Sequence, residues 1–411
     1  MEMKKSSKIF KLIMLVFLTS FITFIITVPL VYKYIENNSY KIKSKNISGS
    51  ISNNQTTTLD ATLRNFKSIL ENKYIGEIKE EELIEGAIKG YVQGLGDEYT
   101  QYLSVAEMDS LKEETSGEYI GIGVYIANDT INNQIVILRT IGNSPAYKSG
   151  LLPGDIIEKI DGKEYSGEQL TEASKKLKGQ EGTEVKIIIL RDSEEKEIVI
   201  KREVIKLVCV NSKIVDKDVG YIRITSFDGG CAKEFEEKYA ELQKKGIRSL
   251  VIDLRFNGGG LVEEALNIAD LAVEKDKTLL ITKSKSSSEI TTKSKQDKTI
   301  NIPIVVLVNE YSASASEILT GILKEINGAK VIGEKTYGKG VIQTVYSLSD
   351  GSGLKITTDE YFTPNHNKIN KVGILPDIEI QLPDEVRYNS GEISEDKDNQ
   401  LKKAIEELKN L

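Results

Sequence analysis

The chain has 411 residues, 39% of them hydrophobic and 28% charged, with 55 Lys and Arg set against 62 Asp and Glu. That length exceeds one compact domain, and the net charge of −7 excludes a global basic field for nucleic acid. A single histidine, His366, rules out H-E-x-x-H zinc chemistry, no Cys/His cluster could hold a metal, and no cofactor is expected.

Residues 1–11 carry Lys4, Lys5, Lys8 and Lys11, and residues 12–31 (LIMLVFLTSFITFIITVPLV) carry no charge. Twenty such residues suffice for a transmembrane helix. A cleaved signal peptide would place a small-residue site after an apolar run of about 7–15 residues. VPLVYKYIENN offers no such site, so an uncleaved anchor is expected. Lys33, Lys41, Lys43 and Lys45 beyond it weaken the positive-inside asymmetry. The expectation is a cytoplasmic tail over 1–11 and an extracytoplasmic remainder. Residues 32–57 read as a linker, since ten of the 22 residues from 36 to 57 are Ser or Asn.

Residues 58–103 have helical periodicity, with Leu63, Phe66, Ile69, Leu70 and Tyr74 on one stripe and Leu83, Ile84 and Ile88 on a second. From 104 to 202 the pattern shifts to short strands (YIGIGVYIA, QIVILRTI, EVKIIILRD, EKEIVIKRE), with helices expected at Pro145–Ser149 and Glu168–Leu177. Residues 203–384 alternate strand and helix: SLVIDLRF, GGLVEEALNIADLAV, IPIVVLVN, a helix from Ser314, then AKVIGEK, GVIQTVYSL and GLKITTDEYF. That order predicts a largely parallel sheet covered by helices, an α/β core. The polar run 283–298 reads as a surface loop, and the tail from 385 to 411 ends in an amphipathic helix, NQLKKAIEELKNL. Cys209, inside IKLVCVN, reads as a small buried hydrophobe, and with Cys231 it makes no disulfide framework.

Three serines in NEYSASASEILTGILKEI pose the chemical question. Ser314-x-x-Glu317 matches a capping box, in which the serine satisfies the N–H three residues on. The same position, between a buried strand and the positive end of a helix, suits a developing oxyanion. With a single histidine in the chain, something else must act as base or nothing does; a neutral lysine can take a serine's proton, and Lys339 lies between Gly338 and Gly340 in GEKTYGKGVIQT, a setting that also suits an exposed hairpin lysine. Bringing a lysine from about 10.4 to about 7 requires roughly 4.6 kcal/mol of desolvation or charge effects. Gln343 on the following strand is a neutral partner that could orient it. DLRFNGGGLV offers backbone N–H groups in a strand-to-helix turn, as an oxyanion hole requires. Its glycine spacing does not match a dinucleotide fingerprint.

SPAYKSGLLPGDIIEKIDGK resembles the core of a PDZ domain of the type attached to proteases. In that family the loop GEYIGIG, through Tyr119, Ile120, Gly121, Ile122 and Gly123, would aim backbone N–H groups at a peptide's terminal carboxylate, the peptide then adding as a strand. SASASEI, GEKTYGKGVIQT, DLRFNGGG and YFTPN…GILPDIEI together are similar to the C-terminal processing (tail-specific) peptidases. The resemblance spans roughly residues 60–384, and the 25-residue separation of Ser314 from Lys339 agrees with it.

It implies a ClpP/crotonase-like α/β core with an inserted PDZ domain. In that reading Ser314 is the nucleophile, Lys339 the general base and Gln343 its orienter. The oxyanion donors are the N–H groups of Ala315 and of a glycine in Gly259–Gly260. The implied partners are protein substrates held by their C-terminal tails, and helical segments at both ends are candidates for self-association. Gly258 stands where the family usually has proline, and His366, in a polar loop, has no chemical role in it. Two rival readings are an inactive PDZ scaffold, opposed by the joint presence of Ser314, Lys339 and Gln343, and an acyl-CoA enzyme, opposed by the PDZ module and the expected extracytoplasmic location.

Overall fold

The computed structural model describes residues 59–285, 288–383 and 393–410. The expected cytoplasmic tail, anchor and linker lie outside the described residues, among which no helix is long and apolar enough to cross a membrane. Contacts divide the chain into two units, 1–79 and 80–411. In the first, Leu59–Lys73 is a helix carrying the expected apolar stripe, with Asp60 in its first turn and Lys73 in its last, the charge order its dipole favours.

The second unit holds the sheets. Its central sheet has six strands in the order Val210–Asp216, Val219–Ile224, Ser249–Asp253, Ile304–Val308, Lys330–Gly333 and Ile378–Glu379. The first pair is antiparallel and every other pair parallel. Ser249–Asp253 and Ile304–Val308 are buried at every position, as expected for parallel strands covered on both faces. One face is covered by Cys231–Lys244, Val262–Ala272 and Ala315–Ile322, in a core containing Phe235, Ile252, Ile268, Val306 and Leu319. Cys209 and Cys231 are buried in that core as free thiols.

The C-terminal helix Asn399–Lys409 covers the other face, with Leu401, Ala404 and Leu408 against Val251, Val305 and Leu307. A buried charge cluster fixes it there. Arg255 donates to Asp253 at 2.6 Å, to Asp398 at 2.7 Å and to Gln400 at 3.0 Å. Asp398 in turn caps the helix by accepting from the Leu401 N–H at 2.9 Å. The guanidinium fork matches paired carboxylates.

A second sheet, antiparallel, was not expected. Gly353–Phe362 pairs with Gln101–Leu103, Val341–Ser347 and Thr278–Ser284, and the last of these pairs with Ile290–Lys293. Part of the run read as a loop over 283–298 is therefore hairpin, because Ile290, Thr291 and Thr292 are β-branched and pair opposite Thr282, Ile281 and Leu280. Likewise 58–103 is not helical throughout: Glu80–Gln93 is a helix, but Gln101–Leu103 is a strand.

The β-rich module has the strand order Val124–Asp129, Gln134–Thr140, Ile156–Ile160, Glu184–Arg191, Glu194–Lys201, with Lys163–Glu164 added to the third. Helices form at Pro145–Lys148 and Leu170–Leu177. The module hangs on a two-stranded ribbon, Glu118–Gly121 against Glu203–Lys206. The helix Val105–Ser116, assigned to this module from sequence, presses Met108 onto Gly353 of the second sheet, where a Cβ would have no room.

Candidate active site

The three serines have different fates. Ser312 is fully buried, and its hydroxyl donates to the Leu254 carbonyl at 2.8 Å. Ser316 is also fully buried and donates to the Asn257 carbonyl at 2.9 Å. Both brace the loop against the strand-to-helix turn. Ser314 stands at the helix N-cap with φ 54° and ψ −115°, a left-handed backbone that costs a non-glycine residue about 1–3 kcal/mol. It faces Glu317 as the expected capping box, but its hydroxyl makes no cap hydrogen bond. The Glu317 N–H goes instead to the Ser314 carbonyl at 2.8 Å.

Glu317 does far more than cap. Its side chain is fully buried, and its carboxylate accepts from Ser314 N–H at 3.0 Å, Thr336 Oγ1 at 2.6 Å, Gly338 N–H at 2.7 Å and Lys339 N–H at 2.8 Å. Burial raises its pKa, and those four bonds oppose the rise. One carboxylate therefore ties the serine's backbone to the loop carrying the lysine. Sequence reasoning saw only its local partner.

The glycines flanking Lys339 permit close approach. Gly338 has φ 94°, and a Cβ on Gly340 would strike the Asn370 backbone. The Lys339 carbonyl accepts from the hydroxyl of Tyr361, a fully buried side chain. Burial first, then the charge of Lys355, holds the Lys339 amine below the usual lysine range, against the opposing charge of Glu317. Burial first, and the charge of Glu317 next, push the Tyr361 phenol well above its usual range, against a hydrogen-bonding contribution from Ser314.

No hydrogen bond among the described residues joins Lys339 Nζ to Ser314 or to Gln343. The amine lies 4.8 Å from the ring centroid of Tyr99. Gln343 Nε2 donates, at 3.4 Å, to Thr357 Oγ1. A break in strand register between Ile342 and Gln343 accompanies that orientation.

Asn257, fully buried, organises the glycine turn. Its amide donates to Ile224 O at 3.0 Å, its Oδ1 accepts from Gly259 N–H at 2.8 Å, and its carbonyl accepts from Ala313 N–H at 3.1 Å. Gly259, at φ 107°, lies so close that a Cβ would sit 2.8 Å from Ser314 Cβ and 3.1 Å from Ala315 N. Of the expected oxyanion donors, the Gly259 N–H is thus occupied, whereas those of Ala315 and Gly260 are in no hydrogen bond among the described residues.

Tyr119, Ile122 and Gly123 line a pocket of about 60 Å³ with Val124, Ile126, Ser174, Leu177 and Lys178. Ile120 and Gly121 lie on the ribbon strand beside it, opposite Val204 and Glu203. The N–H groups of Ile122 and Gly123 are in no hydrogen bond among the described residues, leaving donors for an anion. His366 is exposed and 3.4 Å from Glu289.

The match to known proteins agrees with this geometry. Residues 218–380 match the model of peptidase family S41, residues 137–191 that of a PDZ domain, and residues 24–107 that of the activating protease CtpB N-terminal domain. A probable CtpA-like serine protease of Staphylococcus aureus (strain N315) is 37% identical over 365 residues, covering 88% of this chain and 73% of that one. The chain belongs to peptidase family S41.

This S41 chain is a serine-type peptidase with a PDZ domain. A putative S41 protease of Bacteroides fragilis NCTC 9343 shares its fold at a TM-score of 0.51 and 17% identity, over 82% of this chain and 91% of that one. A photosystem II D1 C-terminal processing protease is 28% identical with a TM-score of 0.46, over 78% and 88% of the two chains.

Proposed function

We propose that the S41 chain is a membrane-anchored endopeptidase that captures protein C-terminal tails on its PDZ domain and cleaves peptide bonds with a Ser314–Lys339 pair outside the cytoplasm. The observation that carries the reading is the fate of the serines. Of these three serines, Ser312 and Ser316 donate to backbone carbonyls whereas Ser314 donates to none among the described residues, and its N–H shares the Glu317 carboxylate with the N–H of Lys339, a lysine whose charge is disfavoured.

In the proposed reaction Ser314 Oγ attacks the peptide carbonyl and Lys339 Nζ takes its proton. The N–H groups of Ala315 and Gly260 receive the oxyanion, with Gly259 locked by Asn257 as the turn's anchor. The Lys339 ammonium protonates the leaving amine, and water then hydrolyses the acyl-enzyme. Tail capture would use the Ile122 and Gly123 N–H groups for the carboxylate and the small apolar pocket for the last side chain. Gln343 would turn from Thr357 to orient the amine.

The deciding experiment uses the full chain in detergent and an unstructured protein with an apolar C-terminus, followed by mass spectrometry. A base must lose its proton, and a guanidinium does not. Lys339→Arg is therefore expected to be inactive throughout the pH range in which wild-type activity rises. Wild-type turnover by Lys339→Arg would reduce the lysine to a fixed positive charge. Retention of the chain in carbonate-washed membranes, lost when residues 1–35 are removed, would support the anchor; release of the intact chain would refute it. Self-association through the helical segments at the two ends is also proposed, and light scattering of a monomer at every concentration tested would sink it.

A further inference from the structure

We propose that the ring of Tyr99 is a berth for the Lys339 ammonium that holds the base away from Ser314 between turnovers, which makes Tyr99 a positioning residue for peptide hydrolysis. The inference rests on Lys339 being the general base.

The berth is built by the fold. Thr357 N–H donates to Thr100 Oγ1 at 3.0 Å, and Gln101–Leu103 pairs with Gly353–Phe362, so the turn carrying Tyr99 is tied to the strand that also supplies Lys355 and Tyr361. Asp97 closes this turn by accepting from the Thr100 hydroxyl. On its other side Tyr99 meets Tyr337, two residues before the lysine. Burial first, and the hydrogen bond with Tyr337 next, push the Tyr99 phenol up to about 12, so the ring stays neutral wherever the enzyme works.

Lys339 Nζ lies 4.8 Å from the ring centroid, within the reach of a cation–π contact. Its backbone is fixed at both ends, the N–H by Glu317 and the carbonyl by Tyr361. The side chain is therefore the part left to travel, and the proposal requires its four-carbon stem to swing from the ring to the serine. The attraction acts on the ammonium alone, because a neutral amine has no charge for the ring's quadrupole. Deprotonation therefore releases the lysine in the form that can accept the serine's proton. The other charged groups acting on this amine are Lys355, which repels the ammonium, and the Glu317 carboxylate, which favours it; Glu98 and Asp97 act on the Tyr99 ring.

The test is kcat/KM against pH for the full chain, with wild type, Tyr99→Leu and Tyr99→Phe acting on an apolar-tailed peptide. Removing the ring removes a stabiliser of the ammonium, so Tyr99→Leu is expected to move the acid limb to lower pH by about one unit, with up to about a tenfold gain below the limb. Tyr99→Phe keeps the ring and is expected to hold the limb in the wild-type position. Competitive acetylation read by mass spectrometry in a Ser314→Ala background reports the Lys339 titration without turnover, and the same downward shift is expected there for Tyr99→Leu. An unmoved Lys339 titration in Tyr99→Leu would overturn the berth, as would Tyr99→Phe shifting as far as Tyr99→Leu. Activity retained by Lys339→Arg would instead overturn the Ser–Lys reading, so the two failures are distinguishable.

Discussion

Ser314→Ala is expected to lower kcat on the order of 10⁴–10⁶-fold with KM little changed, measured on a peptide bearing an apolar C-terminus. Neighbouring hydroxyls offer no rescue. Ser312 and Ser316 are fully buried, and both donate to carbonyls that hold the loop. A surviving wild-type rate would return Ser314 to a capping role. Ser314→Gly serves as a control, since glycine adopts φ 54° without strain. It should be equally inactive yet more stable than the alanine variant by about 1 kcal/mol in urea denaturation. The lost activity is what separates a nucleophile from a simple cap, whereas glycine's stability advantage over alanine is expected of both.

The second large effect lies at Glu317. Glu317→Ala strands the N–H groups of Ser314, Gly338 and Lys339 and the hydroxyl of Thr336, all donors to its carboxylate. An orphaned buried donor costs about 1–3 kcal/mol. Part of that cost is offset, because the carboxylate is itself disfavoured by burial. A net loss of about 3–5 kcal/mol is expected from the urea midpoint at constant m-value. At temperatures where the variant stays folded, kcat should still fall on the order of 10²-fold, the effect of displacing a reacting group by about 1 Å. An unchanged midpoint would show that the four bonds carry no net stability, and an unchanged kcat would show that the serine and lysine loops keep their places without it.

Much of this was legible because its signals are local. Apolar β-branched runs gave the parallel strands, and SASASEI announced a helix start with Ser314 at its N-cap. The expected strands QIVILRTI, EVKIIILRD and EKEIVIKRE lie where period-two alternation put them, whereas YIGIGVYIA is divided at Ile122–Gly123 between the two-stranded ribbon and the module's own sheet. What escaped depends on partners far along the chain. Glu317 looked like a cap because its other three donors belong to residues 336–339. Tyr99 carried no signal, since its neighbours at the site are Tyr337 and Lys339. Gln343 was expected from the family resemblance to orient Lys339, and in the structure it donates to Thr357 next to the register break at Ile342–Gln343. Asp398 sat in a tail with no visible partner, and its buried mate Arg255 is 143 residues earlier.

The pairing of Thr100 with Thr357, 257 residues apart, sets the timing of this enzyme's birth. A ribosome delivers the Tyr99 turn early, then the whole PDZ module, then Ser314 and Lys339, and only afterwards the strand on which that turn closes. Contacts of such long sequence separation form late. The wall that the Tyr99 turn makes beside Lys339 therefore closes only once Gly353–Phe362 is in place, so the candidate site is completed by a late, long-range step of folding.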